Sequence, residues 1–159
     1  VTKFLLAVHV LAAIVAIGPV TVAASMFPPA ARQALAAPED PRAVQTVLLL
    51  LRICRVYAVV GVAVPVFGLA TAKNMGVLGD TWLIVSIALT ALAAVVLVAL
   101  VLPRQTAIAE ALDEQRPVGQ GGDERRATVR LAMFTGMFNL LWAAVTVLMI
   151  VRPGSTTGA

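Results

Sequence analysis

Four long apolar runs take up most of this 159-residue chain, over about residues 4–27, 47–72, 81–102 and 131–151. A helix needs roughly 20 mostly apolar residues to cross a hydrocarbon core about 30 Å thick, so each run is long enough to span a membrane. Hydrophobic residues make up 60% of the chain, charged residues 13%, and the mean hydropathy is +0.96. A water-soluble domain of this size would expose too much apolar surface. The ten-residue alternation of a lipid-embedded β-barrel is absent. The expectation is an all-α polytopic membrane protein: a single membrane domain over 1–159, built as a four-transmembrane-helix bundle.

Charge orients the bundle. The connections at about 28–46 and 103–130, with the adjoining helix ends, hold Arg32, Arg42, Arg52, Arg55, Arg104, Arg116, Arg125, Arg126 and Arg130. The termini and the KNMGVLGD turn hold Lys3, Lys73 and Arg152. Nine basic residues against three is a positive-inside asymmetry, which places the two long connections in the cytoplasm and both termini outside. Seven of the eight acidic residues share the arginine-rich side. Those connections are therefore mixed-charge surfaces, and the net charge of +4 does not point to nucleic acid. The partners expected are the lipid bilayer, other membrane-protein subunits or a second copy of the chain.

The first run resembles a secretory leader, since Lys3 precedes an apolar stretch and then TVAAS. It is longer than the usual leader core, and removing it would leave an odd number of spans and spoil the charge asymmetry, so it reads as the first span. MFPPAARQALAAPEDPR after the first span and VLPRQTAIAEALDEQRP after the third share proline, arginine, glutamine and alanine-rich text. The two halves thus read as tandem helical hairpins, related by an axis along the membrane normal. RQTAIAEALDEQR extends the third helix, PVGQGG breaks it, and Asp123 is placed to cap the fourth. Pro65 predicts a kink in the second helix, with a carbonyl freed near its middle.

Candidate functional residues are few. Arg52 and Arg55 interrupt LLLLRICRVYAVV on one helical face, with Tyr57 close by. Arginine is costly at mid-bilayer, so this stretch is expected at the interface, where it suits a lipid phosphate, an anionic head group or an acidic partner. Cys54 is the only cysteine, which excludes an intramolecular disulfide and a thiolate metal cluster. His9 is the only histidine. It lies roughly 7–8 Å below Phe4 along the helix, at the level expected for Ser86 and Thr146. Those three form a candidate hydrogen-bonded layer, with Asn139 bonding across the bundle at greater depth.

A bis-histidine haem needs a second imidazole, a catalytic metal commonly needs three protein ligands, and a proton pathway needs intramembrane acids. The spans supply none of these, so no metal site and no catalytic residue is assigned. No cofactor is expected; as the alternative, His9 is the one candidate cofactor-binding residue, toward haem or quinone.

HVLAAIVAIGP, with Lys3, His9 and Gly18, resembles the first helix of a family of small, uncharacterised bacterial four-span integral membrane proteins. The resemblance implies the bacterial inner membrane. A weaker likeness is to the haem-binding four-span protoporphyrinogen oxidases, which have a lysine one turn before a first-helix histidine; this chain has Leu6 in that turn. In size and style the chain is also similar to small accessory subunits of actinobacterial respiratory supercomplexes, with Ala12, Ala16 and Ala23 forming a packable face. The functional expectation is a non-enzymatic structural or accessory subunit packing against a larger, respiratory membrane complex. The alternative is a small haem- or quinone-linked redox protein using His9.

Overall fold

The computed structural model describes residues 1–115 and 122–154. The described elements are all helical: α1 (Thr2–Ala36), α2 (Pro41–Val60), α3 (Ala63–Met75), α4 (Thr81–Val95), a π-helical turn (Val96–Val101), α5 (Leu102–Asp113) and α6 (Gly122–Val151). Four rods result, Thr2–Ala36, Pro41–Met75, Thr81–Asp113 and Gly122–Val151, each long and apolar enough to cross a membrane. The protein is an all-α four-helix membrane bundle. Both ends of the described chain lie at one end of the bundle, termed here the termini end; the opposite end carries most of the arginines.

The rods run further than hydropathy alone predicts. Of the stretch expected as a connection over 28–46, only 37–40 lies outside helix. α1 continues through Pro28 and Pro29 because proline removes a donor without forcing the chain out of helical φ, and neighbouring helices cover the carbonyls it leaves. It stops at Ala37–Pro38. Asp40 then caps α2, its Oδ1 accepting from the Arg42 amide at 3.0 Å, and Pro41 occupies the first helical turn, where no amide hydrogen is needed. The stretch over 103–113 is likewise helical, as α5. PVGQGG lies almost wholly outside the described residues. Asp123 does not cap α6: the helix already includes Gly122, so Asp123 and Glu124 lie inside its first turn, where their negative charge complements the positive end of the helix dipole.

Proline also sets the two interruptions. Pro65 cannot donate to the Gly61 carbonyl, and the rod breaks at Gly61–Val62; that carbonyl instead accepts from the Val64 amide at 3.1 Å. The π turn lies just before Pro103, and its wider spacing accommodates a ring that crowds the preceding carbonyls. At the turn between α3 and α4, Gly76 adopts φ 71 and the Val77 amide reaches back to the Ala72 carbonyl at 3.2 Å. This is a Schellman ending, which favours glycine because a Cβ is crowded at that φ.

The main core lies toward the arginine end. Phe27 and Ala31 of α1, Cys54 of α2, Val101 of the π turn and Leu131 of α6 are fully buried there, with Phe138 packed alongside. Phe138 meets Trp142 edge-on at 6.3 Å. α1 contacts α2, α3 and α6, and α4 contacts α6. At the termini end only a small second cluster forms, around Ala72, Val77, Trp82 and Leu83. Between the two clusters α1 and α3 stand apart from α4.

Candidate functional site

That separation leaves a partly open cavity of about 1080 Å³, walled by α1, α3, α4 and α6. Its size is at the upper end of what small-molecule sites occupy, and clefts between bundle helices are common positions for such sites.

His9 forms part of the wall. It is 9% exposed, and its Nδ1 lies 2.9 Å from the Val64 carbonyl oxygen. A carbonyl only accepts, so Nδ1 carries the hydrogen; in the neutral imidazole Nε2 is then a bare lone pair. No hydrogen bond to Nε2 is made among the described residues. The close approach of the ring to α3 depends on Gly68, where a Cβ would stand 2.9 Å from His9 Cε1 and 3.2 Å from Nδ1. Pro65, Val64 and Gly68 thus work together. The helix break aims α3 at α1, a carbonyl fixes the tautomer, and a missing side chain makes room for the ring. An Nδ1–H donated to a backbone carbonyl is also how proteins commonly orient a histidine whose Nε2 is a ligand.

The remaining wall is mostly apolar, with two tryptophans and one cation. Trp142 Nε1 is buried and has no hydrogen-bond partner, an unpaired donor beside the cavity. Trp82 Nε1 donates to Asp80 Oδ2 at 3.0 Å. Arg152, just past the end of α6, lies with Cζ 5.6 Å from the Trp82 ring centroid, and its Nε donates to the Met149 carbonyl at 3.2 Å.

The polar residues singled out in the sequence separate here. His9 and Thr146 share the cavity wall, but the hydrogen-bonded layer does not form. Ser86 Oγ donates to the Trp82 carbonyl at 2.8 Å and Thr146 Oγ1 to the Trp142 carbonyl at 2.9 Å, each within its own helix, the usual way a hydroxyl four residues on is satisfied. Asn139 does reach across, its Nδ2 donating to Ser25 Oγ of α1 at 3.1 Å. The alanine face turns inward: Ala16 and Ala23 are buried in the bundle.

Arg52 and Arg55 are exposed on α2, and Tyr57 is half-buried. Arg55 Nη2 donates to Thr106 Oγ1 of α5 at 2.8 Å, tying two rods at the arginine end. Arg104 caps the Phe134 ring at 4.5 Å and donates to the Leu100 carbonyl. Cys54 is fully buried and receives a long contact from Gln105 Nε2 at 3.7 Å. Among the described residues no three His, Cys, Asp or Glu side chains come together.

Sequence reasoning missed Gly68, Val64, Trp82 and Arg152. Gly68 carried a faint signal, being a glycine three residues after the kinking proline; a backbone carbonyl partner carries none.

Two comparisons with known proteins returned nothing: no curated protein and no solved structure matches the chain. A family model described as a predicted integral membrane protein (DUF2269) matches residues 3–153.

Proposed function

We propose that this chain, which belongs to the DUF2269 family of predicted integral membrane proteins, is a binding protein that holds a lipophilic molecule in the cavity at its termini end, with Nε2 of His9 as the contact that fixes it. The observation carrying this reading is the Nδ1 hydrogen bond to Val64, which commits one ring nitrogen to the fold and leaves the other unpaired on a cavity wall. Binding, not turnover, is the activity assigned.

The tautomer narrows the two ligands weighed from the sequence. An Nε2 lone pair suits a metal centre, as in haem, or the hydroxyl of a quinol; an oxidised quinone offers only acceptors and makes the weaker match. With the arginine-rich end in the cytoplasm, the cavity opens toward the outer leaflet of a bacterial inner membrane. A lipophilic ligand then enters sideways from the bilayer.

The test is purification in mild detergent of the wild type and of His9→Phe, followed by a visible spectrum and mass analysis of a solvent extract. The wild type is expected to carry a chromophore or a quinol, or to take one up when supplied, and His9→Phe to lose it. Equal, empty extracts and no uptake by either protein would sink the reading.

The accessory-subunit reading draws on a different observation, the exposed Arg52 and Arg55 at the opposite end. It predicts recovery with a larger complex after crosslinking, and recovery as a lone species counts against it. The two readings use separate surfaces.

A further inference from the structure

We infer that the cavity's ligand is an amphiphile with a carboxylate, which pairs with Arg152 at the cavity mouth while the apolar body extends inward along α6; this rests on the cavity being a ligand site. Among the described residues Arg152 is the only formally charged one in the wall, and no acidic side chain lines the cavity. Its Nε is taken by the Met149 carbonyl. Among the described residues no carboxylate forms an ion pair with it; Asp80, the nearest acid in sequence to the cavity's Trp82, is engaged by the indole. A cation at the edge of a low-dielectric cleft is costly unless water or an anion meets it.

The backbone supports the placement. Arg152 has φ 45, a left-handed conformation that a residue with a side chain adopts rarely, and the Arg152 amide closes α6 by donating to the Leu148 carbonyl at 2.9 Å. Pro153 follows and prevents the helix from continuing. In place of pointing away along the α6 axis, the side chain lies over Trp82 in a cation–π contact, and among the described residues its terminal nitrogens make no hydrogen bond, which leaves them for a planar, two-oxygen partner.

Length and chemistry match such a ligand. Trp142 of α6 and Arg152, the residue after its end, are ten residues apart, roughly 15 Å at the helical rise, and both line the cavity. The hydroxyls of Thr71, Thr90 and Thr146 give their hydrogens to carbonyls of their own helices. The wall between the mouth and Trp142 therefore presents an apolar path with the charged donor at one end.

The chain's only two tryptophans, Trp82 and Trp142, both line the cavity, and this supplies the readout. A brominated long-chain fatty acid, its methyl ester and a brominated lysophosphatidic acid are titrated into the purified protein in neutral detergent, and tryptophan quenching is followed. The acid is expected to bind about tenfold more tightly than the ester. Arg152→Gln should erase that preference without weakening ester binding, Arg152→Lys should restore part of it, and both variants should elute as the wild type does in size exclusion. Equal binding of acid and ester to the wild type, or an acid preference that survives Arg152→Gln, would overturn the inference while leaving the cavity reading intact. Tighter binding of the phosphate probe than of the acid would overturn the carboxylate assignment. If none of the probes quenches either tryptophan, this inference fails, while the cavity reading stands or falls on the haem and quinol test given above.

Discussion

The two halves of the bundle are built from the same four rods, yet one is closed and the other open. Toward the arginine end, α1, α2, the π turn, α5 and α6 converge on Phe27, Cys54, Val101 and Leu131, all fully buried. Toward the termini end, the break at Gly61–Val62 turns α3 against α1, while α4 packs with α6, and a cavity of about 1080 Å³ separates the pairs. In lipid there is little hydrophobic gain from bringing helices together, so close packing and hydrogen bonds decide where they meet. Large rings fill the closed half. The open half has a lone imidazole, two tryptophans at its walls and a glycine under the imidazole. A rigid half that holds the helices is what allows the other half to keep an unfilled space.

The largest effect is expected from breaking the closed half. Phe27→Ala, in the core and away from the cavity wall, should destabilise the protein by about 3–5 kcal/mol, read as unfolding in mixed micelles, while ligand affinity in the surviving folded protein shifts by less than about threefold. The converse change is Gly68→Val, whose Cβ has no room beside His9. It should abolish ligand retention as His9→Phe does, while costing about 1–3 kcal/mol. Equal losses of stability and binding in both variants would erase the distinction between the halves. A smaller effect is expected at Ser25→Ala, which removes the one hydrogen bond between Asn139 and α1; interhelical bonds of this kind contribute about 0.6 kcal/mol on average. Arg55→Ala, on the exposed surface beside Thr106, should change stability by no more than about 0.5 kcal/mol. A larger loss would mean that the arginine end depends on that tie.

The four spans were legible because hydropathy over some 20 residues is a strong signal in itself. The helix ends were harder to read. Prolines 28 and 29 suggest an exit, but a helix in lipid has no better option for its backbone than to continue, and the stop is written instead in APEDPR, with its Asp40 cap. Asn139 was legible as a bond across the bundle because an amide in lipid needs a partner. Ser86 and Thr146 were not, because a hydroxyl is satisfied as readily by its own helix as by a neighbour. His9 stood out by being unique, but what gives it meaning is the carbonyl of Val64 and the missing side chain of Gly68, 55 residues or more away. Neither a carbonyl nor an absent side chain leaves a mark in composition. Arg152 read only as one charge in a tally, since its left-handed backbone is not visible in the sequence.

Because His9 is the only histidine, labelling with ¹⁵N-histidine gives a spectrum of that one ring. The account predicts two resonances in lipid bilayers, a protonated Nδ1 and an unprotonated Nε2, with Nε2 shifting when haem or a quinol is added and Nδ1 holding its proton. A ring protonated at Nε2 in place of Nδ1, or an Nε2 resonance that neither ligand moves, would contradict it.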